Sequence, residues 1–158
     1  MTRRALLVAA WAVRLRADSA DDVWNLVASM ASALVNGNAS EFMSYFDPAM
    51  PSFDELRTDV TALVGEFVAQ SSIDPLKNEG DDRSRTLELD WRLTLVDQQN
   101  DAAATHRERN VTCRLVKKGR KWLITAFEPA GLFAPPAADQ HDERSRPKLN
   151  AETRGRGE

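Results

Sequence analysis

The nine residues from Leu87 to Leu95 read LELDWRLTL, a strict alternation of apolar and polar side chains. In an extended strand, neighbouring side chains point to opposite faces, so this pattern places leucines and Trp91 on one side and charged or polar groups on the other. A strand with one apolar face is typical of an antiparallel sheet that covers a core. Residues 87–95 therefore predict a central strand that is buried on one face.

A second strand of this kind follows after a loop near Asn100, and Lys118-Gly119 predicts a tight turn because Gly supplies a positive φ. If the hairpin is centred on that turn, three cross-strand pairs have all their members on the apolar face. These pairs are Leu115 with Trp122, Cys113 with Ile124, and Val111 with Ala126. The same parity turns Glu128 inward at the end of the last strand.

Three helices are predicted before the sheet. The first begins at Asp18–Asp22 with Ser19 as its N-cap, because acids and a hydroxyl favour a helix start. Its apolar stripe has a period near 3.6 residues, and Asn36-Gly37 ends it. Helices two and three begin where a capping residue precedes Glu by three positions, at Asn38 and at Ser52. The stripe residues of helix one are Val23, Leu26, Val27, Met30 and Leu34.

The second helix carries Phe42 to Phe46 and is expected to end at Asp47-Pro48, and the apolar side of the third runs from Leu56 to Phe67. Residues 72–79 form a weak strand, and Pro75 confines it to the edge of the sheet because proline cannot donate to a neighbouring strand. The expected fold class is therefore α+β, with three N-terminal helices packed on a curved antiparallel sheet.

This order of elements resembles the nuclear transport factor 2-like superfamily, and within it the polyketide-cyclase-like (SnoaL-like) branch. The resemblance covers residues 20–133 and is carried by Asn36-Gly37-Asn38-Ala39, Phe46-Asp47-Pro48 and Trp122-Leu123-Ile124. It implies a cone-shaped, cystatin-like roll with an apolar pocket at its open end. Because that superfamily contains enzymes, transport factors and assembly domains, the fold alone decides little about function.

Charge and cysteine content narrow the classes of partner. Residues 18–70 carry nine acids and one base, Arg57, whereas residues 71–133 carry eleven bases and ten acids. The helical half would repel a phosphate backbone, so we expect no nucleic-acid partner. Cys113 is the single cysteine, and His106 and His141 are the two histidines, so no metal site or other cofactor is expected.

Candidate catalytic groups are few. Glu88, Asp90 and His106 have the outward parity and are expected to meet solvent or cross-strand partners. An enzyme of this fold would need a pocket acid or base and a hydrogen-bond donor for the developing oxyanion. Glu128 or Asp47 as the base, with Tyr45 as the donor, is the only combination that the sequence offers. Burial on an apolar face is expected to raise the pKa of the Cys113 thiol and so to make it unreactive.

Our leading hypothesis is a non-catalytic domain that binds a small apolar ligand or a partner segment in the cone. Two alternatives stay open: a cyclase- or isomerase-like enzyme that uses a pocket carboxylate, and an assembly module that acts through its sheet face or its basic hairpin. A homodimer is compatible with each of them. The expected pocket residues are Tyr45, Trp91, Cys113, Trp122, Ile124 and Glu128.

The two ends of the chain differ from the middle. Residues 1–17 combine Arg3-Arg4, an apolar run from Ala5 to Val13, and Arg14-Leu15-Arg16, which predicts either an export signal or an N-terminal helix. The run is too short to span a bilayer. The protein is accordingly periplasmic or secreted if residues 1–17 are a signal, and cytoplasmic otherwise. The domain is expected to occupy residues 18–133, and the polar residues 134–158 to form a disordered tail.

If residues 1–17 are an export signal, the mature protein recovered from its native host should begin near Asp18, because cleavage removes the basic and apolar residues before it. Mass spectrometry of the N-terminal peptide measures this directly. Recovery of a mature protein that begins at Met1 or Thr2 would show that no signal is cleaved.

Overall fold

A computed structural model of the chain describes the backbone of residues 3–136 and the side chains of residues 19–136. Three helices precede four strands, which confirms the predicted α+β class. The helices are α1 (Arg3–Val35), α2 (Ala39–Met43) and α3 (Phe53–Glu66). The strands are β1 (Phe67–Gly80), β2 (Ser84–Asp97), β3 (Ala104–Lys118) and β4 (Lys121–Glu128), followed by a 3₁₀ turn at Ala130–Phe133.

The sheet is antiparallel throughout, with the strands in the order β1-β2-β3-β4. The alternation in β2 is confirmed, because its inward side chains are almost completely excluded from solvent. The side chains of β3 that were predicted to point inward are also buried. The buried side chains are Leu87, Leu89, Trp91, Leu93 and Leu95 of β2, and Val111, Cys113 and Leu115 of β3.

Helix α1 begins at Arg3, so the predicted start at Asp18–Asp22 is wrong, and Ser19 lies inside the helix instead of capping it. Residues 3–35 contain neither Gly nor Pro and are rich in Ala, Leu and Arg, which favour helix, so nothing interrupts the helix at position 19. The predicted end is confirmed: Gly37 has φ +71°, and the amide of Asn38 donates to the carbonyl of Ala33.

The two shorter helices differ in how they begin. Asn38 caps α2 as predicted, since its Oδ1 accepts from the Glu41 amide at 3.0 Å. Helix α2 ends at Met43, however, and not at Asp47-Pro48, because Tyr45 to Asp47 pair with β4 instead. Ser52 makes no capping hydrogen bond; its φ of +67° turns the chain into α3 and carries its hydroxyl out of capping geometry.

Strand β1 is longer than predicted, because it begins at Phe67 directly after α3. Phe67 was assigned to the helix, but it pairs with Asp97 and opens the strand. Pro75 lies in β1 at the edge of the sheet, as expected, and the register slips by one residue between Pro75 and Lys77. An edge position tolerates proline because only one side of such a strand is paired.

The predicted register of the β3–β4 hairpin is wrong. Gly119, with φ +64°, takes the first loop position, so Lys118 pairs with Lys121 and Leu115 with Ile124. Thr125 is then an extra residue that has no direct partner on β3, and this bulge reverses the facing of everything after it. As a result Phe127 points inward, whereas Ala126 and Glu128, which were predicted to face inward, are exposed.

Aromatic rings fill the space between the helices and the sheet. Trp91 lies 5.2 Å from Phe133 and 6.1 Å from Phe127, measured between ring centroids, and both pairs meet edge to face. Phe42 adds a further contact with Phe133 at 5.1 Å, and Phe46 lies 5.3 Å from Phe42. The cone is therefore closed by its own side chains around Trp91, where an apolar pocket was expected.

The described residues include no helix that is long and apolar enough to cross a membrane. Residues 3–17 continue α1, and whether they are cleaved stays a prediction. Ala134, the first residue of the expected tail, contacts the domain, since Arg107 donates to its carbonyl. The rest of the expected tail, residues 137–158, lies outside the described residues.

Replacement of Trp91 by Ala should destabilise the fold by about 3–5 kcal/mol, because it opens a cavity where three aromatic rings meet. Chemical denaturation monitored by circular dichroism measures the loss. Asp90→Ala is the matched control, since Asp90 lies one residue away on the opposite, polar face, and its denaturation midpoint should stay near that of the wild type. An equal loss of stability in the two variants would contradict the observed arrangement, in which Trp91 faces the core and Asp90 faces away from it.

Candidate functional site

A groove between α1 and β4 brings together two of the predicted pocket residues, Tyr45 and Trp122. We call it the Tyr45–Trp122 groove. It has a volume of about 370 Å³ and opens to solvent. Helix α1 contributes Asp22, Asn25, Leu26 and Ser29, the segment after α2 contributes Ser44 and Tyr45, and β4 contributes Lys121, Trp122 and Leu123.

The position of Tyr45 is fixed by backbone pairing with the edge of β4. The amide of Ile124 donates to the carbonyl of Tyr45 at 2.9 Å, and the amide of Asp47 donates to the carbonyl of Ile124 at 2.9 Å. Phe46 lies between Tyr45 and Asp47, forms a parallel bridge with Ile124 and is buried in the core. Successive side chains of an extended segment point in opposite directions, so Tyr45 points away from the core and is half-buried at the wall of the groove.

Asp47 is held by two contacts that fix the same segment. Its Oδ1 accepts from the amide of Ala49 at 2.9 Å, and its Oδ2 forms an ion pair with the ammonium group of Lys118. The hydrogen bond from Lys118, and then the one from Ala49, hold the pKa of Asp47 below its ordinary value of 3.8. A carboxylate with a lowered pKa and an occupied oxygen on each side is a poor proton acceptor.

Glu128 lies in a different cleft, whose lining shares no residue with that of the groove. This cleft has a volume of about 630 Å³ and runs along the bulged end of β4. Its polar lining consists of Ser52, Asn110, Thr112, Thr125 and Glu128. Glu128 and Tyr45 therefore do not face each other across one cavity, as the predicted base and donor would have to do.

Three of the predicted pocket residues, Trp91, Cys113 and Ile124, are completely buried within the hydrophobic core. Burial raises the pKa of the Cys113 thiol to about 12, so the thiolate is not populated near neutral pH. The expected position of Cys113 on a buried, apolar face is confirmed. Trp122 is 7% exposed, and Lys117 places its ammonium group 6.0 Å from the centroid of the Trp122 ring.

The outward face of the sheet carries an ionic network centred on Arg92. Its guanidinium contacts Asp74 at 2.9 Å, Glu108 at 3.4 Å and Asp90 at 3.6 Å. A hydrogen bond with Glu108 and partial burial raise the pKa of Asp90. Asp90 and His106 face outward as predicted, and the charged partner of Asp90 is Arg92, two residues along the same strand. His106 lies 3.1 Å from the hydroxyl of Thr94.

Sequence reasoning missed most of the groove, since only Tyr45 and Trp122 of its lining residues were predicted as pocket residues. Asn25, Ser29 and Lys121 line the groove and were not among the predicted pocket residues. One signal was available, since Leu26 and Trp24 widen the apolar stripe of α1 beyond what one core needs, and both are only partly buried. Within residues 19–136, no group of three or more His, Cys, Asp or Glu side chains could hold a metal ion.

No family model matches the chain, and no curated protein sequence matches it. Several solved structures do match the chain. A candidate dehydratase of the NTF2-like family from Streptomyces avermitilis is 9% identical, with a TM-score of 0.57 over 71% of this chain and 95% of that one. An NTF2-like protein of unknown function from Shewanella oneidensis is 12% identical, with a TM-score of 0.56 over 68% of this chain and 94% of that one.

This chain has the nuclear transport factor 2-like fold. A protein of unknown function with a cystatin-like fold from Nostoc punctiforme also matches, at 16% identity and a TM-score of 0.51 over 67% of this chain and 85% of that one. At these identities the likeness concerns the fold. It confirms the predicted nuclear transport factor 2-like architecture, whereas the assignment to the polyketide-cyclase-like branch stays a prediction.

The ion pair between Asp47 and Lys118 should make stability depend on pH. Because the folded-state pKa of Asp47 is lowered, the stabilisation is present above the unfolded-state value near 3.8 and is lost as the pH falls through the folded-state pKa. Lys118→Met should therefore lower the melting temperature at pH 7, and the difference from the wild type should shrink as the pH drops below about 4.

Lys77→Met is the matched control for this measurement. It removes the same charge from an exposed pair, in which Lys77 and Glu79 are 3.6 Å apart, so it should change the melting temperature little at either pH. A difference between Lys118→Met and the wild type that is constant from pH 7 to acid would contradict the role assigned to the Asp47 carboxylate.

Proposed function

We propose that this nuclear transport factor 2-like domain is a non-catalytic binding module that takes a small, flat, amphipathic ligand in the Tyr45–Trp122 groove. The observation that carries this proposal is the meeting of Tyr45 and Trp122 in one open groove while the interior of the cone is filled. At about 370 Å³ the groove lies at the lower end of the range for small-molecule sites.

The lining defines the chemistry of the ligand. Leu26, Tyr45, Trp122 and Leu123 offer an apolar and aromatic wall, against which a flat ring system would stack. The amide of Asn25 and the hydroxyls of Ser29 and Ser44 offer neutral hydrogen-bonding groups. Asp22 and Lys121 bring one charge of each sign, so a ligand without net charge, with an apolar body and one or two hydroxyl or carbonyl groups, fits best.

The arrangement of the acids supports binding over catalysis. Asp47 lies two residues after Tyr45, but its carboxylate is engaged by Lys118 and by the Ala49 amide. Glu128, the other candidate base, lines the separate cleft along β4. The enzyme alternative needs one of these carboxylates free and within hydrogen-bond reach of the same ligand as Tyr45.

Titration with 1-naphthol and indole, followed by isothermal calorimetry and by chemical shifts of the Leu26 and Leu123 methyl groups, tests the proposal. Both probes should bind without being consumed, and Tyr45→Ala should weaken binding roughly tenfold because it removes one aromatic wall. Tyr45→Phe should retain most of the affinity for indole, since the ring is kept.

Glu128→Ala is the matched control, because Glu128 is exposed in the other cleft and should not affect the groove. Binding that responds to Glu128→Ala and not to Tyr45→Ala would place the ligand in that cleft and overturn the proposal. Turnover of either probe that disappears with Glu128→Ala would support an enzyme instead.

A further inference from the structure

We propose that the ligand of the Tyr45–Trp122 groove is an aromatic α-amino acid, bound as a zwitterion with its ammonium and carboxylate groups beside Asp22 and Lys121. The inference rests on the proposed function and names the class of ligand that the groove selects. Asp22 and Lys121 are the charged residues of the lining, and they carry opposite signs. A zwitterion brings one charge for each of them and has no net charge, in agreement with this balanced lining.

Asp22 and Lys121 lie toward the same end of the groove. The side-chain amide of Asn78 donates to the carbonyl of Ala20 at 3.2 Å, so the part of α1 that contains Asp22 lies close to the turn between β1 and β2. Because neighbouring strands run in opposite directions, that turn and the turn between β3 and β4 are at one end of the sheet. Lys121 directly follows the second of these turns. An ammonium and a carboxylate carried by one carbon atom can therefore approach both side chains.

The other end of the groove is lined by an aromatic ring and hydroxyl groups. The carbonyl of Tyr45 accepts from the amide of Ile124, which lies three residues along β4 from Lys121, a distance of about 10 Å. On α1, Ser29 lies about two turns beyond Asp22. A ligand whose charged groups are beside Asp22 and Lys121 therefore extends its side chain toward Tyr45.

Neither charge is taken up by an ion pair within residues 19–136: Asp22 and Lys121 pair neither with each other nor with a further side chain of that region. Lys118, on the other side of the hairpin turn, differs because Asp47 holds its ammonium group. A purely cationic ligand would be attracted by Asp22 and repelled by Lys121, and a purely anionic ligand would meet the reverse. A zwitterion is attracted by both side chains.

An α-amino acid matches this arrangement. Near neutral pH its amine is protonated and its carboxyl group is ionised, and both groups are bonded to the same carbon. The side-chain amide of Asn25, one helical turn after Asp22, can donate a further hydrogen bond to the carboxylate. An aromatic side chain would then stack against Tyr45 and Trp122, whereas an aliphatic side chain would lose much of this contact.

Calorimetric titration of the full chain with four related indoles tests the inference. Indole, tryptamine, indolepropionate and tryptophan share one ring system and are respectively neutral, cationic, anionic and zwitterionic at pH 7. We expect tryptophan to bind severalfold more tightly than each of the other three, since only tryptophan gains both charge contacts. Rising salt concentration should weaken the binding of tryptophan and leave that of indole nearly unchanged.

Two charge-removing variants assign the two contacts. Asp22→Asn should weaken the binding of tryptophan and tryptamine severalfold and tighten that of indolepropionate, because it removes the negative charge. Lys121→Gln should weaken the binding of tryptophan and indolepropionate and tighten that of tryptamine. Asp101→Asn and Lys77→Gln are the matched controls, since they remove the same charges from exposed positions outside the groove.

The outcomes separate this inference from the proposed function. If indole binds but tryptophan binds no more tightly, the inference is overturned and the groove remains a site for uncharged ligands. The same holds if tryptophan binding responds to Asp22→Asn and Lys121→Gln no more than to the two controls. If neither indole nor tryptophan binds, the proposed function fails and this inference fails with it.

Discussion

The edge-to-face packing of Trp91 against Phe133 and Phe127 is the interaction on which the rest of the domain depends. Trp91 lies at the middle of the best-patterned strand, and its two partners come from the last strand and the turn after it. Phe133 also contacts Phe42 of α2, so one cluster joins the sheet, the helical layer and the 3₁₀ turn that follows β4. Aromatic side chains of this size contribute much of the burial that a small domain has available.

Filling the cone has a consequence for function. In this domain large aromatic side chains fill the interior of the cone. Binding surfaces are therefore found on its outside, where helices meet the edges of strands. The Tyr45–Trp122 groove is such a place, since its floor is Trp122 of β4 and its wall is the segment that pairs with β4. The ion pair between Lys118 and Asp47 ties this segment to the hairpin and so keeps the groove in shape.

Patterns with a fixed period could be predicted from the sequence. The alternation around Trp91, the glycine stop at Gly37 and the cap at Asn38 each depend on neighbours within a few residues, and each is confirmed. The start of α1 could not be predicted in this way, because a capping residue such as Ser19 has the same sequence signature inside a helix as at its end. Ser52 failed for a related reason, since its φ depends on how the preceding loop packs.

The candidate site was harder to predict because one residue changes the facing of several others. The bulge at Thr125 turns Phe127 inward and Glu128 outward, and a bulge leaves no period in the sequence that would reveal it. A candidate base was thereby moved from the expected pocket to a separate cleft, and a phenylalanine took the space beside Trp91. The same step that closes the cone therefore removes its carboxylate, so the filled interior and the separation of Tyr45 from Glu128 have one structural cause.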